Sequence, residues 1–396
     1  MDTNVRVNAK PSGGGRGWAA AAVALPALLL AGGAAQASTL TPIASYAGPP
    51  GSSTTVYDIN DSGWMTGVID FADGSSQGFS RDAAGVYTLF SVSGPGGGLN
   101  PGPGPSGAFT IARAIANDNS ITGYSKVDGG ANLKNDVTFL RTAGGLMNIL
   151  INPQTNQPLH GVAQGQNSGG WIVGDFYPEA TASDHRHQPF LLIPPGAGGG
   201  GILILDDHFD EEHTVVAGRG INDSLMVVGY GLNTTTGLDE GFVGPAPSAN
   251  RWYSDPNSVL GTAFEDINNS GIIAGNWVDA LGDAHAFQFD SNTRVFTEID
   301  VPGATNTVSL GLNDAGLEVV TTDNPTGPNN FIFDPNGIPS SPPALPEPDT
   351  WGLMLAGIFA ACAVMRRRRA SRRGGGPPRL SQAATKGMPE SGPRRA

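Results

Sequence analysis

A short polar turn between two apolar runs recurs six times along the chain. The first copy occupies residues 58–67 (DINDSGWMTG), and the later copies read AIANDNSITG, GQNSGGWIVG, GINDSLMVVG, DINNSGIIAG and GLNDAGLEVV. Counted from the asparagine column, successive copies lie 56, 51, 55, 46 and 45 residues apart. A period of this size is typical of β-propeller blades, in which each repeat forms one antiparallel unit.

The polar centre of each copy has the composition of a tight turn, because Asn and Asp side chains bond their own backbone and Gly supplies a positive φ. The residues predicted to form these turns are Asn60, Gly63, Asn167, Gly170, Asn222, Asn268, Gly271, Asn313 and Gly316. Leu225 stands where the other copies have glycine or asparagine. We therefore expect local strain or a different turn at Leu225.

Each unit continues with an apolar run, a phenylalanine-centred run and, in most units, a third apolar run, which is the pattern of an all-β meander. No segment between residues 40 and 340 sustains a helical period. The sixth unit lacks a closing run, while residues 39–51 resemble the closing runs at 86–97 and 294–304. We predict an all-β, repeat-built β-propeller of six blades, with the N-terminal strand closing the ring and thereby removing exposed sheet edges. An open β-solenoid and two sandwiches are the alternatives.

Two insertions rich in Gly and Pro, at residues 94–107 and 194–201, are predicted to be flexible surface loops. Neither is followed by Lys-Ser/Thr and a helix, so neither has the features of a phosphate-binding loop.

Both ends of the chain carry segments typical of export. Residues 1–37 have a basic start, an apolar run at 18–30 and the small-residue cleavage motif Ala35-Gln36-Ala37, which together predict a signal peptide. A retained membrane anchor is the alternative. At the other end, a Pro-rich linker (339–345) follows the repeat domain (38–338).

Residues 346–373 contain Pro346-Glu347-Pro348, an apolar run at 351–365 and the cluster Arg366, Arg367, Arg368 and Arg369. The run predicts a short transmembrane helix whose arginines stay in the cytoplasm. The tail at 374–396 is either a disordered cytoplasmic extension or a reading-frame artefact.

Charge is divided unevenly along the chain. The formal net charge is −13, but residues 38–365 hold nine basic and 33 acidic residues, a net charge of −24. This balance argues against a nucleic-acid partner. The single cysteine, Cys362, lies in the C-terminal apolar run, so the repeat domain has no disulfide.

Two groups of residues are candidates for metal binding. Asp206, Asp207, His208 and Asp210 offer carboxylates and an imidazole, but their spacing specifies no geometry, and a solvated acidic loop is favoured. Asp58, Asn60 and Ser62 match the start of a calcium loop, but Ile69 stands where the bidentate glutamate is due. A hairpin turn is favoured there, with weakly bound calcium as the alternative. No other cofactor is expected.

No G-x-S-x-G elbow and no H-E-x-x-H motif occurs, and no spacing singles out a catalytic triad. We therefore do not expect an enzyme.

The repeated motif, its following "VVG" and the intact His285-Ala286-Phe287 resemble the HAF-type extracellular repeat family over roughly residues 40–338. This resemblance implies a secreted, repeat-built β protein and brings no defined activity.

The order of Pro346-Glu347-Pro348, apolar helix and arginine cluster resembles the PEP-CTERM sorting signal, also catalogued as the ice-binding-protein C-terminal domain. The resemblance implies recognition by an exosortase, cleavage near Pro-Glu-Pro and export to the surface of an exopolysaccharide-producing Gram-negative bacterium. The tail beyond the arginines departs from the pattern of that family.

These observations predict an exported protein whose propeller is a binding or structural module of the envelope or exopolysaccharide matrix. Its partners would be signal peptidase, exosortase, exopolysaccharide and, before processing, the membrane through its C-terminal helix. An extracellular glycan hydrolase or lyase and an unprocessed membrane-anchored adhesin are the alternatives. Asp or Glu converging with Arg on the propeller axis would favour the enzyme, whereas small and apolar groups there would favour the module.

Overall fold

The computed structural model describes residues 38–93, 98–100, 109–126, 136–153, 155–176, 188–195, 200–205, 212–248, 251–324 and 327–337, with the backbone alone described at 98–100. The predicted signal peptide, the sorting segment with its arginines, and the metal candidates Asp206, Asp207, His208 and Asp210 lie outside these residues. Among the described residues, no helix is long and apolar enough to cross a membrane.

The described strands form six four-stranded antiparallel units, as the repeats predict. The first unit contains β2 (Ser53–Ile59), β3 (Met65–Asp70), β4 (Ser76–Arg81) and β5 (Tyr87–Ser93). The short strand β6 (Gly98–Asn100) extends it by pairing with β5. The second unit contains β7 (Phe109–Ile115), β8 (Ile121–Lys126), β9 (Asp136–Arg141) and β10 (Met147–Ile149).

A separate two-stranded hairpin, β11 (Ile151–Asn152) and β12 (Gln157–Pro158), lies between the second and third units. The third unit contains β13 (Gly161–Gln166), β14 (Ile172–Phe176), β15 (Gln188–Ile193) and β16 (Gly201–Ile204). The fourth contains β17 (His213–Ile221), β18 (Met226–Asn233), β19 (Leu238–Pro245) and β20 (Arg251–Tyr253).

The fifth unit contains β21 (Gly261–Ile267), β22 (Ile272–Val278), β23 (Ala284–Asp290) and β24 (Val295–Ile299). The sixth contains β25 (Thr307–Leu312), β26 (Glu318–Thr322) and β27 (Asn330–Asp334), and its outer strand is β1 (Thr39–Pro42). The architecture is therefore an all-β propeller with six blades in its described part.

The N-terminal strand completes the last blade, as predicted. Thr39 is in register with Asp334 and Pro42 with Phe331, and Leu40 packs against the core of the fifth and sixth blades. The pairing covers an edge of β27 that would otherwise expose unpaired backbone groups.

The recurring phenylalanine is the core residue of each blade. The six buried side chains are Phe79, Phe139, Phe190, Phe242, Phe287 and Phe331. In the first blade Phe79 is in register with Gly67, where a Cβ atom would lie 2.8 Å from the Phe79 ring. Glycine therefore fits this position in the first blade, where a Cβ atom would meet the Thr55 carbonyl oxygen as well as the ring. The sixth copy has Val320 here, in register with Phe331.

The predicted turns adopt one conformation throughout. The residue in the Gly63 column has a positive φ in all six copies: 74° at Gly63, 65° at Asn119, 78° at Gly170, 59° at Leu225, 81° at Gly271 and 78° at Gly316. Leu225 donates its N–H to the Asn222 carbonyl as Gly63 does to that of Asn60. The strain predicted at Leu225 is thus confirmed, and the turn type is unchanged.

One prediction was wrong in part. The insertion at 94–107 was expected to be a loop throughout, but Gly98–Asn100 pairs with Ser91–Ser93 as a strand. The backbone of β5 had unpaired groups on its outer edge, and even a glycine-rich segment can satisfy them.

Candidate binding site on the propeller axis

Turn asparagines link neighbouring blades. The Nδ2 of Asn167 donates to the carbonyl oxygen of Asn222 (3.0 Å), and Asn222 donates to Asn268 in the same way (3.1 Å). Asn268 continues to Asn313 (3.0 Å), and Asn313 returns to Asn60 (3.2 Å). We call these positions, together with Ala116, the turn ring.

The Oδ1 atoms of the same asparagines hold the turns themselves. Asn222 Oδ1 accepts the N–H groups of Ser224 and Met226, both at 3.0 Å. The arrangement recurs at Asn60, Asn268 and Asn313. Sequence reasoning identified these residues as turn formers but missed their bonds to the next blade.

The turn ring is interrupted between the second and third blades, where Ala116 replaces asparagine. Asn60 still donates to the Ala116 carbonyl oxygen (3.0 Å), but Ala116 has no side-chain amide to pass on. In its place Gln166 of the third blade donates its Nε2 to the carbonyl oxygen of Ser120 (3.0 Å). The second and third blades are therefore still joined by a side-chain hydrogen bond, but its donor is Gln166 instead of an asparagine.

A β-bulge interrupts the inner strand of every blade three residues before the turn-ring position, and β17 of the fourth blade has a second bulge between Val215 and Ala217. A bulge inserts an extra residue and re-aims its side chain. The bulged residues, which we call the axial ring, are Tyr57, Arg113, Gln164, Arg219, Glu265 and Leu310. Five of them line a cavity of about 80 Å³ that extends to the turn ring, and Tyr57 contacts one of the five.

Arg113 is held from two sides within the axial ring. Its guanidinium carbon lies 4.3 Å from the centroid of the Tyr57 ring, and its Nε donates to Gln164 Oε1 at 2.8 Å. Within the described part of the chain, its two Nη atoms have no hydrogen-bond or ion-pair partner. The side chain is thus oriented while its outer donors face the cavity.

Arg219 is in contrast paired with a carboxylate. Its Nε lies 3.7 Å from Glu265 Oε2, and its Nη2 donates to the Tyr230 hydroxyl at 3.4 Å. Burial opposes the charge, but Glu265, Tyr230 and Asp175 more than compensate and raise the pKa of Arg219. This arginine stays charged and largely neutralises Glu265.

Two carboxyl groups next to the axial ring are bound to backbone. Asp58 accepts the N–H of Ile59 on one oxygen and that of Ile115, in the second blade, on the other, both at 2.7 Å. Asp266 likewise accepts from Ile267 (2.8 Å) and from Leu312 in the sixth blade (3.1 Å).

Burial sets the titration of both groups. It raises the pKa of Asp266 to about 7. It also raises the pKa of Asp58, with a further contribution from the neighbouring Asp266. These carboxyls serve as links between blades, with Asp58 joining the first blade to the second and Asp266 the fifth to the sixth.

A groove between the third and fourth blades shares Gln164 and Arg219 with the axial cavity. Asp175 and Tyr230 also line it. Burial raises the pKa of Asp175 to about 6, although the nearby Arg219 opposes the shift. The groove therefore offers a carboxyl that titrates near neutrality beside an arginine.

The calcium-like run in the first turn uses its oxygens on backbone. Asn60 Oδ1 accepts from Ser62 and Trp64, and both oxygens of Asp58 accept N–H groups. Weak calcium binding at this turn remains a prediction.

Sequence reasoning missed a different metal-compatible set, which consists of His285, Glu298 and Asp300 with candidate ligand atoms within 4.8 Å of one another. His285 stacks on Trp277 with ring centroids 4.1 Å apart.

The axial ring was also missed, although the sequence holds a signal for it. In five of six copies the position three residues before the turn ring carries a polar or aromatic residue within an otherwise apolar strand.

By the criterion given in the sequence analysis, arginines and carboxyl groups converging on the axis favour an enzyme. The contacts of these carboxyl groups weaken that indication of an enzyme. The oxygens of Asp58 and Asp266 already accept backbone N–H groups, and Glu265 pairs with Arg219.

No protein-family model and no curated protein matches the sequence. Among solved structures, the chain is similar to TolB from Acinetobacter baumannii (10% identity, TM-score 0.42), with 68% of this chain and 63% of that chain covered. It therefore spans less than two thirds of the TolB chain.

The chain is also similar to the β-propeller domain of the Trilobed protease from Pyrococcus furiosus (9% identity, TM-score 0.41), covering 71% of this chain and 95% of that one. A third likeness is to the lectin of Aleuria aurantia, a six-bladed β-propeller (9% identity, TM-score 0.39; 73% and 97% covered). The propeller assignment rests on the strand pairing described above.

Proposed function

We propose that this protein is exported and sorted to the cell surface, where its propeller serves as a binding module of the envelope or exopolysaccharide matrix. The observation that carries the binding role is the oriented Arg113 in the axial cavity, stacked on Tyr57 and bonded to Gln164. A concave site on which polar side chains converge is a candidate ligand site.

The start of β1 supports the export part of the proposal. Cleavage after Ala37 would leave Ser38 as the first residue, directly before the strand that begins at Thr39. Signal peptidase would then release a chain whose new N-terminus goes straight into the closing blade. The sorting segment with Pro346-Glu347-Pro348 would be the substrate of an exosortase.

The intact mass of the protein from the organism that encodes it tests this processing. We expect a mature chain that begins at Ser38 and ends near residues 346–348. A mass that retains residues 351–396 would instead support the membrane-anchored adhesin, with the propeller displayed on an uncleaved helix.

Retention on isolated matrix polysaccharide tests the binding role. We expect the mature protein to sediment with polysaccharide prepared from the same organism and not with neutral dextran of similar size. Equal retention on both polymers, or on neither, would contradict a specific binding module.

A glycan hydrolase or lyase is the second candidate, and Asp175 is the observation in its favour. A carboxyl with a pKa raised to about 6 has the property required of a general acid near neutrality. Incubation with the same polysaccharide should then generate new reducing ends, and Asp175→Asn should abolish them. We expect no such release, because a binding module needs no turnover.

A further inference from the structure

We propose that the axial cavity recognises a carboxylate group on an anionic glycan, with Arg113 as the recognising side chain. This inference rests on the proposed function and names the ligand class for the same site.

The first argument is the geometry of the free donors. An arginine presents a planar fork of N–H groups that matches a carboxylate in a bidentate manner. Arg113 uses its Nε on Gln164 and its ring-facing surface on Tyr57, which leaves the Nη edge for a ligand. Because two neighbours already fix the side chain, binding costs little further side-chain entropy.

The second argument is the distribution of charge. The segment 38–365 has only nine basic residues against 33 acidic ones, yet Arg113 and Arg219 both lie on the axis. The acidic groups beside them are engaged, since Glu265 pairs with Arg219 and Asp266 accepts two backbone N–H groups. Arg113 therefore presents N–H donors without a hydrogen-bond partner among the described residues at the centre of an acidic molecule, and such donors suit an anionic group.

The third argument is size and access. A cavity of about 80 Å³ has room for more than one water molecule and therefore for a carboxylate group. The groove between the third and fourth blades shares the side chains of Gln164 and Arg219 with the cavity. A glycan chain lying in this groove would direct one carboxylate past Gln164 to Arg113.

The wall of the groove carries side chains that suit a sugar chain, next to the single carboxyl group of Asp175. Tyr230 contributes an aromatic side chain there, and Thr214 contributes a hydroxyl. Approach through the turn ring is less favourable for an anion, because Asp61 and Asp314 lie at that end.

The test compares two oligosaccharides of equal length, oligogalacturonate and the same oligomer with its carboxylates reduced to hydroxymethyl groups. Calorimetric titration is made with the mature chain, with Arg113→Gln and with Arg251→Gln. Arg251 is an exposed arginine on β20 and serves as the matched control. Thermal unfolding confirms that each variant is folded.

We expect the wild-type protein to bind the carboxylated oligomer at least about 10-fold more tightly than the reduced one. Arg113→Gln should lose about 10-fold or more in affinity for the carboxylated oligomer alone, and Arg251→Gln should behave as wild type. If Arg113→Gln does not fold, Arg113→Lys replaces it; it keeps the charge without the fork and should lose about 3-fold or more.

Equal affinity for the two oligomers, or unchanged affinity in the Arg113 variant that is measured, would overturn the inference. The matrix-binding function and the carboxylate site are tested by different measurements, so one can be contradicted without the other. If the protein binds the native matrix but does not distinguish the carboxylated oligomer from the reduced one, the proposed function is supported and the carboxylate site is contradicted. If the protein binds oligogalacturonate through Arg113 but does not bind the native matrix, the carboxylate site is supported and the proposed function is contradicted.

Discussion

Asn313 donates a hydrogen bond of 3.2 Å from its Nδ2 to the carbonyl oxygen of Asn60, and so joins the sixth repeat to the first across 253 residues. The neighbouring Asp314 N–H bonds to Asp61 Oδ1 at 2.8 Å over the same junction. Ring closure thus uses the turns as well as the pairing of β1 with β27.

Asn313→Ala should lower the free energy of unfolding by about 2–4 kcal/mol. The substitution removes the link to Asn60 and also leaves the N–H groups of Ala315 and Leu317 without their acceptor. Urea unfolding followed by tryptophan fluorescence measures the change. Asn257→Ala, an exposed turn asparagine, is the control and should change stability by less than about 0.5 kcal/mol. Equal effects of the two substitutions would show that the turn ring adds nothing.

The conformation of the turns predicts a contrast at Gly63. A Cβ atom there would meet only Ala83 at 3.7 Å, an ordinary contact, so the penalty comes from the positive φ alone. Gly63→Ala should cost about 1 kcal/mol, whereas Gly63→Asn should cost less than half of that, because asparagine tolerates this conformation. Thermal unfolding of the two variants checks the order. An asparagine variant as unstable as the alanine variant would mean that space, rather than φ, limits this position.

Removal of the closing strand should destabilise the ring. A chain beginning at Ile43 loses the four pairs between β1 and β27 and the packing of Leu40. We expect a loss of at least about 3 kcal/mol and association through the exposed edge of β27. Thermal unfolding and size-exclusion chromatography provide the measurement. A chain that lacks residues 374–396 is the control for shortening and should unfold as the parent does; similar behaviour of both truncations would argue against closure by β1.

Buried carboxyl groups predict a stability that falls as pH rises. Burial raises the pKa of Glu318 to about 8 and that of Asp266 to about 7, both above the value of about 4 expected in the unfolded chain. Because the folded state holds these protons more tightly, their contribution is complete below about pH 4 and is lost as pH rises to about 8. Each group contributes a slope of at most about 1.4 kcal/mol per pH unit.

Glu318→Gln should flatten this dependence and be more stable than wild type above pH 8. Unfolding free energies in urea between pH 5 and 9 measure the slope. Glu298→Gln, at an exposed position of β24, should retain the wild-type slope. An unchanged slope in Glu318→Gln would mean that Glu318 ionises without cost in the folded protein.

The strands and turns could be predicted from local sequence because their causes are local. The run Asn60-Asp61-Ser62-Gly63 contains its own hydrogen-bond acceptors and its positive-φ residue, so it forms a turn whatever surrounds it. The strand after the fifth turn, Ile272–Val278, was likewise predicted by the apolar run of that copy. The strand at Gly98–Asn100 was not, since it depends on the free edge of β5 rather than on its own residues.

The sequence by itself determined the repeats, the six units and the candidate closing strand, because periodic apolar positions and turn residues act within one blade. Tertiary structure decided which side chains meet on the axis. Arg113 faces the cavity because β7 bulges there, and it is oriented by Tyr57 and Gln164, which lie 56 and 51 residues away in the two flanking blades. Such a site depends on register between blades, and no local pattern in a single strand encodes it.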